Sequence, residues 1–192
     1  GKDNILMLPV HDEEATLDMF DKRGSEIAAV IIEPVIAGVG QMPVDVSYLK
    51  LLRKLTRDSG SLLIFDEIIT GFRLSLGGAQ KRFNIIPDLT TMGKVAGGGT
   101  ALGLIAGRGD IMDMGDKTMP DPERKKALIG GGTFSCSPFN MALGLAVVEH
   151  LMKNEGEIYS YLDEKGEKLR QGLREAFQKT GIRVEVYGIA SL

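Results

Sequence analysis

Leu62-Leu63-Ile64-Phe65-Asp66-Glu67 is the stretch whose reading decides the fold. Four apolar residues in succession, with Gly60 behind them and two acids ahead, read as a buried strand that ends on charge. Outward toward the N-terminus, Tyr48, Leu51, Leu52 and Leu55 recur at the spacing of one helical face. A helix is therefore predicted over Val46–Asp58, with Gly60 placed to end it. Before that helix, Ile27 to Ile32 is a second apolar run rich in β-branched residues. It suits a strand buried on both faces of a parallel sheet, and Pro34 stops it. Strand, helix, strand in this order implies parallel neighbours joined by a right-handed crossover. The fold class is α/β. Ligands on such sheets sit beyond the carboxyl ends of the strands, where Glu33 and Asp66 both fall.

In the other direction, Ile68-Ile69-Thr70-Gly71-Phe72-Arg73 and a Gly-rich passage lead to Pro87-Asp88-Leu89-Thr90-Thr91-Met92-Gly93-Lys94. Gly97-Gly98-Gly99 follows almost at once. A carboxylate at a strand's end and a lysine before flexible backbone are the two groups a pyridoxal phosphate enzyme needs most. The lysine amine forms a Schiff base with the cofactor's aldehyde, and the ring then takes up the electrons of a carbanion. The ring does so only while its pyridine nitrogen stays protonated, so a carboxylate must face it. Asp66 is the candidate, and a pyridinium beside it favours its ionised form. Taken singly, an Asp and a Lys are more often a helix cap and a solvated surface charge. A phosphate cradle of the GxxxxGK[ST] kind does not fit: its glycines precede the lysine and Ser or Thr follows it, whereas Val95 follows Lys94.

The blocks LLIFDEIITGFR (62–73), GGAQKRF (77–83), PDLTTMGKVAGGG (87–99) and GGTFSCSPFNMALG (131–144) resemble, in that order, the class III pyridoxal-phosphate-dependent aminotransferases. The separation of Asp66 from Lys94 is most similar to that in the aminomutase branch. The resemblance covers the chain from about Ile5 onward. It implies the fold-type I large domain, a mainly parallel sheet with helices on both faces, in part over residues 1–153. Residues 154–192 would then be the connecting helix and the start of the C-terminal small domain.

The resemblance further implies pyridoxal 5'-phosphate as cofactor, with its pyridoxamine 5'-phosphate form in the cycle. Lys94 and Asp66 are the implied catalytic residues, Ile68 packs on one face of the cofactor ring, and Thr133 binds the phosphate from a neighbouring subunit. A shared site of that kind implies a homodimer acting on a small amino or aldehyde acid. The implied reaction is an intramolecular amino shift in glutamate 1-semialdehyde giving 5-aminolevulinate, in the cytoplasm. A transaminase using a 2-oxo acid acceptor and a truncated, non-catalytic chain are the alternatives. Gly38 stands where the aminomutases carry Asn, and Ser135-Cys136-Ser137-Pro138 where they carry Ser-Gly-Asn-Pro; Ile69 stands where transaminases often carry Gln. On local sequence alone, Ile68 is as readily core, and Thr133 a Gly-rich turn. Family members run to more than twice this length. The resemblance therefore implies the middle of an enzyme, without the N-terminal turn that grips the phosphate.

The remaining elements are read from pattern. Asn4–Pro9 reads as a short strand. Asp12 is an N-cap for a helix through Arg23, with Glu13 and Glu14 in its first turn and Leu17 and Phe20 facing the core. Ala101–Ala106 reads as a strand and Asp113–Lys126 as a surface loop with one helical turn. A helix starts at Pro138 and buries Met141, Leu145, Val148 and Met152. A longer one runs to Lys179 with Ile158, Leu162, Leu169, Leu173 and Phe177 on one side. Gly181 ends it, and Arg183–Tyr187 alternates like a half-exposed strand. Over 192 residues the net charge is −3, which leaves no footprint for nucleic acid or an anionic membrane. No run approaches the ~18 apolar residues of a membrane span. The one cysteine, Cys136, excludes an internal disulfide and reads as a buried small residue. His11 and His150 stand alone, without metal-ligand spacing.

Overall fold

The computed structural model describes residues 4–116, 118, 132 and 135–192. Its centre is a four-stranded sheet of β1 (Ala29–Ile32), β4 (Leu62–Glu67), β5 (Leu89–Met92) and β6 (Leu104–Gly107), side by side in that order. β1, β4 and β5 run parallel, and β6 runs against β5. A small antiparallel pair, β2 (Val35–Ile36) and β3 (Met42–Pro43), lies between β1 and the helix α2 (Val46–Ser59). Gly60 ends α2 in the left-handed region, φ 76°, where a residue without Cβ costs least.

In β4, burial alternates. Leu63, Phe65 and Glu67 are fully buried, while Leu62, Ile64 and Asp66 on the other face are half-buried. The buried side packs on α2, where Tyr48, Leu49 and Leu52 join Leu63, Phe65, Val44 and Ile85 in the main core. The α2 stripe is therefore Tyr48, Leu49, Leu52 and Thr56, with Leu51 and Leu55 at its half-covered margin. In α1 (Glu13–Arg23), the Ala15 amide donates to Asp12 Oδ1 as the N-cap reading expects. The covered face there is Thr16 and Phe20, and Leu17 is exposed, because the Thr16 hydroxyl meets Tyr48 Oη at 2.8 Å and sets the helix's rotation. His11 has a structural role: its Nε2 accepts the Asp45 amide at the start of α2.

Several expectations are corrected. Asn4–Pro9 forms no strand; Ile5 and Met7 are exposed, and no strand among the described residues pairs with them. In β1, Val30 and Ile32 pack on the core while Ile31, on the other face, is 63% exposed, so among the described residues the strand is covered on one face only. After the single-turn α4 (Gly109–Met112), α5 (Pro138–Lys153) leaves the face with Met141, Leu145 and Met152 exposed and buries Gly144 and Leu151. In α6 (Glu155–Thr180), Leu169 and Leu173 are exposed, and the covered line is Tyr159, Gly166 and Arg170. Arg183–Tyr187 is irregular; the chain beyond it folds back so that Arg170 Nη1 donates to the carbonyls of Ala190 and Leu192. Cys136 is exposed. No described helix is long and apolar enough to cross a membrane.

Candidate active site

Parallel pairing of β4 with β5 places Asp66 directly opposite Thr91 and Glu67 opposite Met92. Paired residues of a parallel ladder share a face, so Asp66 and Thr91 lie together on the half-open side of the sheet. Asp66 Oδ1 accepts from the Ile68 amide at 3.1 Å and from the Thr91 hydroxyl at 3.3 Å. Both bonds that Asp66 makes to described residues fall on Oδ1, which leaves Oδ2 open.

Gly93 and Lys94 continue from β5 at the same carboxyl end. Lys94 is exposed, and no described residue bonds or pairs with its amine. It opens a short 3-10 turn, Lys94–Gly97, with its own backbone in the left-handed region, φ 48°. A non-glycine residue held there carries about 1–2 kcal/mol of strain, of the kind that accumulates where a side chain must leave the backbone in a set direction. Ile68 is half-buried beside Gly93; a Cβ on Gly93 would stand 3.3 Å from Ile68 Cδ1 and from the Leu102 carbonyl. α5 supports the lysine turn from behind, because a Cβ on Gly144 would lie 2.8 Å from the Ala96 carbonyl. Thr133 lies outside the described residues, as do Gly130 and Gly131 of its loop.

Glu67, the other member of the acid pair, has a separate task. Its Oε2 accepts from the Thr70 hydroxyl and the Ala79 amide, and its Oε1 from the amide and side chain of Gln80. Ala79 and Gln80 lie in the first turn of the short helix α3 (Gly78–Phe83), so Glu67 anchors α3 under the sheet. Gly78 is required there: it has φ 67°, and a Cβ would stand 2.1 Å from Glu67 Oε2. A groove of about 740 Å³ lined by Phe72, Leu76, Met92, Ala106 and Arg108 lies elsewhere, and neither Asp66 nor Lys94 lines it.

Sequence reasoning placed Asp66, Ile68 and Lys94, and the structure brings all three to one end of two adjacent strands. It missed Thr91, which only the register makes a partner of Asp66, and Gly144, whose role depends on how α5 docks. A free carboxylate oxygen, an amine that no described residue pairs with and an apolar side chain beside Gly93 are the chemical types that the ring nitrogen, aldehyde and ring face of pyridoxal phosphate call for. A mainly parallel α/β sheet with a carboxylate and an amine at the carboxyl ends of adjacent strands is the architecture of the fold-type I pyridoxal phosphate enzymes.

Residues 8–188 match the model of the family described as aminotransferase class-III. The chain belongs to that family. It is 43% identical over 189 residues to a glutamate-1-semialdehyde 2,1-aminomutase from Thermomicrobium roseum, covering 98% of this chain and 42% of that protein. Another protein of that name, from Methanosarcina acetivorans, is 42% identical over 97% of this chain and 42% of its own length. An omega-transaminase from Sphaerobacter thermophilus superposes with a TM-score of 0.88 at 34% identity, covering 98% of this chain and 41% of that one. A structure described as a transaminase with PLP bound gives 0.83 at 29% identity, over 95% and 41% of the two chains. The chain thus spans about 42% of the length of the curated relatives it matches.

Proposed function

We propose that this chain carries the lysine and aspartate portion of a pyridoxal phosphate site in an enzyme that shifts an amino group within a small amino-aldehyde acid. The observation that carries the reading is the register: Asp66 stands beside Thr91 at the strand ends from which Gly93 and Lys94 continue. When bound, pyridoxal phosphate supplies an aldehyde for the amino group and a ring that stores the electrons released at the substrate carbon. Lys94 Nζ would hold the cofactor through that aldehyde, and its amine would move the proton between the two substrate carbons. Asp66 Oδ2 keeps the proton on the ring nitrogen. Ile68, backed by Gly93, lies against one face of the ring. Thr133 reaches the phosphate of a partner subunit in a homodimer, and the pyridoxamine 5'-phosphate form takes part in the cycle. Residues 1–153 form part of the large domain and residues 154–192 lead into the small one. The setting is the cytoplasm.

The relatives named glutamate-1-semialdehyde 2,1-aminomutase support that substrate, with 5-aminolevulinate as product. The full-length protein containing this chain should form 5-aminolevulinate from glutamate 1-semialdehyde with no acceptor added. Borohydride trapping of the cofactor, followed by peptide mapping, should place it on Lys94; attachment to another lysine refutes the assignment. The solved structures named as transaminases support a second reading, which wins if turnover requires a 2-oxo acid.

A further inference from the structure

We propose that Thr91 is a positioning residue for Asp66: its hydroxyl fixes the carboxylate so that Oδ2, and not Oδ1, faces the cofactor's ring nitrogen. The inference rests on the proposed role of Asp66 and extends it by one residue. A carboxylate turns readily about its last torsion, where the wells are broad and two-fold. The Ile68 amide, two residues ahead in the same chain, does not distinguish the two oxygens by itself. The Thr91 hydroxyl comes from the neighbouring strand and meets the same oxygen, so two donors from different directions set the carboxylate plane.

The adjacent threonine provides the contrast. Thr90 is buried on the opposite face, and its hydroxyl donates to the Phe65 carbonyl at 3.2 Å, a bond internal to the sheet. Of the two successive threonines, Thr91 alone directs its hydroxyl at Asp66. Valine matches threonine in shape and lacks the donor, so Thr91→Val removes the contact with little change in bulk.

The test compares the affinity of the full-length protein for pyridoxal 5'-phosphate with that for its 1-deaza analogue, which has a ring carbon in place of the nitrogen. Fluorescence titration reads both. The wild type should prefer the nitrogen-bearing cofactor, and Thr91→Val should reduce that preference by about threefold to tenfold, the worth of one net hydrogen bond. Thr91→Ser should restore it, and Thr90→Val should leave it unchanged. Thr91→Cys, a weaker donor, serves where the valine variant does not fold, and should reduce the preference too. A Thr91→Val protein with the wild-type preference, or with both affinities reduced equally, overturns the proposal. The Asp66→Asn arm separates the two readings. If Asp66→Asn keeps the full preference, the assignment of Asp66 itself fails. If Asp66→Asn loses it while Thr91→Val does not, the role of Thr91 alone fails.

Discussion

Glu67 is fully buried and receives four hydrogen bonds, whereas its neighbour Asp66 is half-buried and has one oxygen free. The two acids should therefore fail in opposite ways. Glu67→Ala leaves four donors without their acceptor and should cost about 3–5 kcal/mol, read as a lower urea midpoint. Asp66→Asn keeps an oxygen for Ile68 and Thr91, and should stay within about 0.5 kcal/mol of the wild type while turnover collapses. Equal stability losses in the two variants would contradict the division of roles. The sequence pointed to Asp66 because a carboxylate, a lysine and glycines together suit one chemistry. It was silent on the role of Glu67, whose partners Ala79 and Gln80 lie across a loop at the start of α3, and on Thr91, which becomes a neighbour only once the strands are in register.

At the scale of elements, α5 shows where periodicity stops being informative. Its apolar residues run most of the way round, so the spacing of Met141, Leu145, Val148 and Met152 marked an apolar face without saying which face is covered. The small residue decided it, because Gly144 lets the helix axis approach the turn that holds Lys94. In an ordinary helix, Gly→Ala gains about 1 kcal/mol. Here the new Cβ would meet the Ala96 carbonyl, and overpacking against backbone costs about 1–3 kcal/mol. Gly144→Ala should therefore lower the thermal midpoint of unfolding and slow the trapping of cofactor on Lys94. A variant more stable than the wild type, with unchanged trapping, would show that the turn does not depend on this contact. α2 needed less correction, since its polar face is plain and only the exact line of burial moved, from Leu51 and Leu55 to Leu49 and Thr56.

For the molecule as a whole, Asp88 ties distant parts of the chain together at the end of the sheet away from Lys94. Its carboxylate accepts the Leu63 amide at 2.8 Å and pairs with Arg53 of α2 at 2.8 Å and with Arg108, just past β6, at 3.0 Å. Burial pushes this carboxyl up, but the Leu63 amide, Arg108 and Arg53 together outweigh it and hold it below its usual value. A group depressed on folding stabilises above the unfolded carboxyl value, about 3.9, and that contribution fades as pH falls through the folded value. Asp88→Asn should therefore cost about 2 kcal/mol from pH 8 down to pH 5. The gap in urea midpoints should close only below about pH 4, and a gap constant down to pH 2 would contradict this account. The α/β class and the parallel core were legible because two short apolar runs, Ile27–Ile32 and Leu62–Phe65, flank a clear amphipathic helix. The reversal of β6 was not, since a short apolar run reads alike in either direction.

Because Asp66 and Glu67 share a strand but not a face, β4 responds differently to two kinds of genetic lesion. Exchanging one codon between Leu62 and Phe65 changes a single contact. Deleting one turns part of the strand over: either Leu63 and Phe65 leave the core, or the anchoring carboxylate swings outward and Asp66 turns in against α3. Length is thus held more tightly here than identity. Drift in this segment should run through substitution, while insertions and deletions collect in the loops.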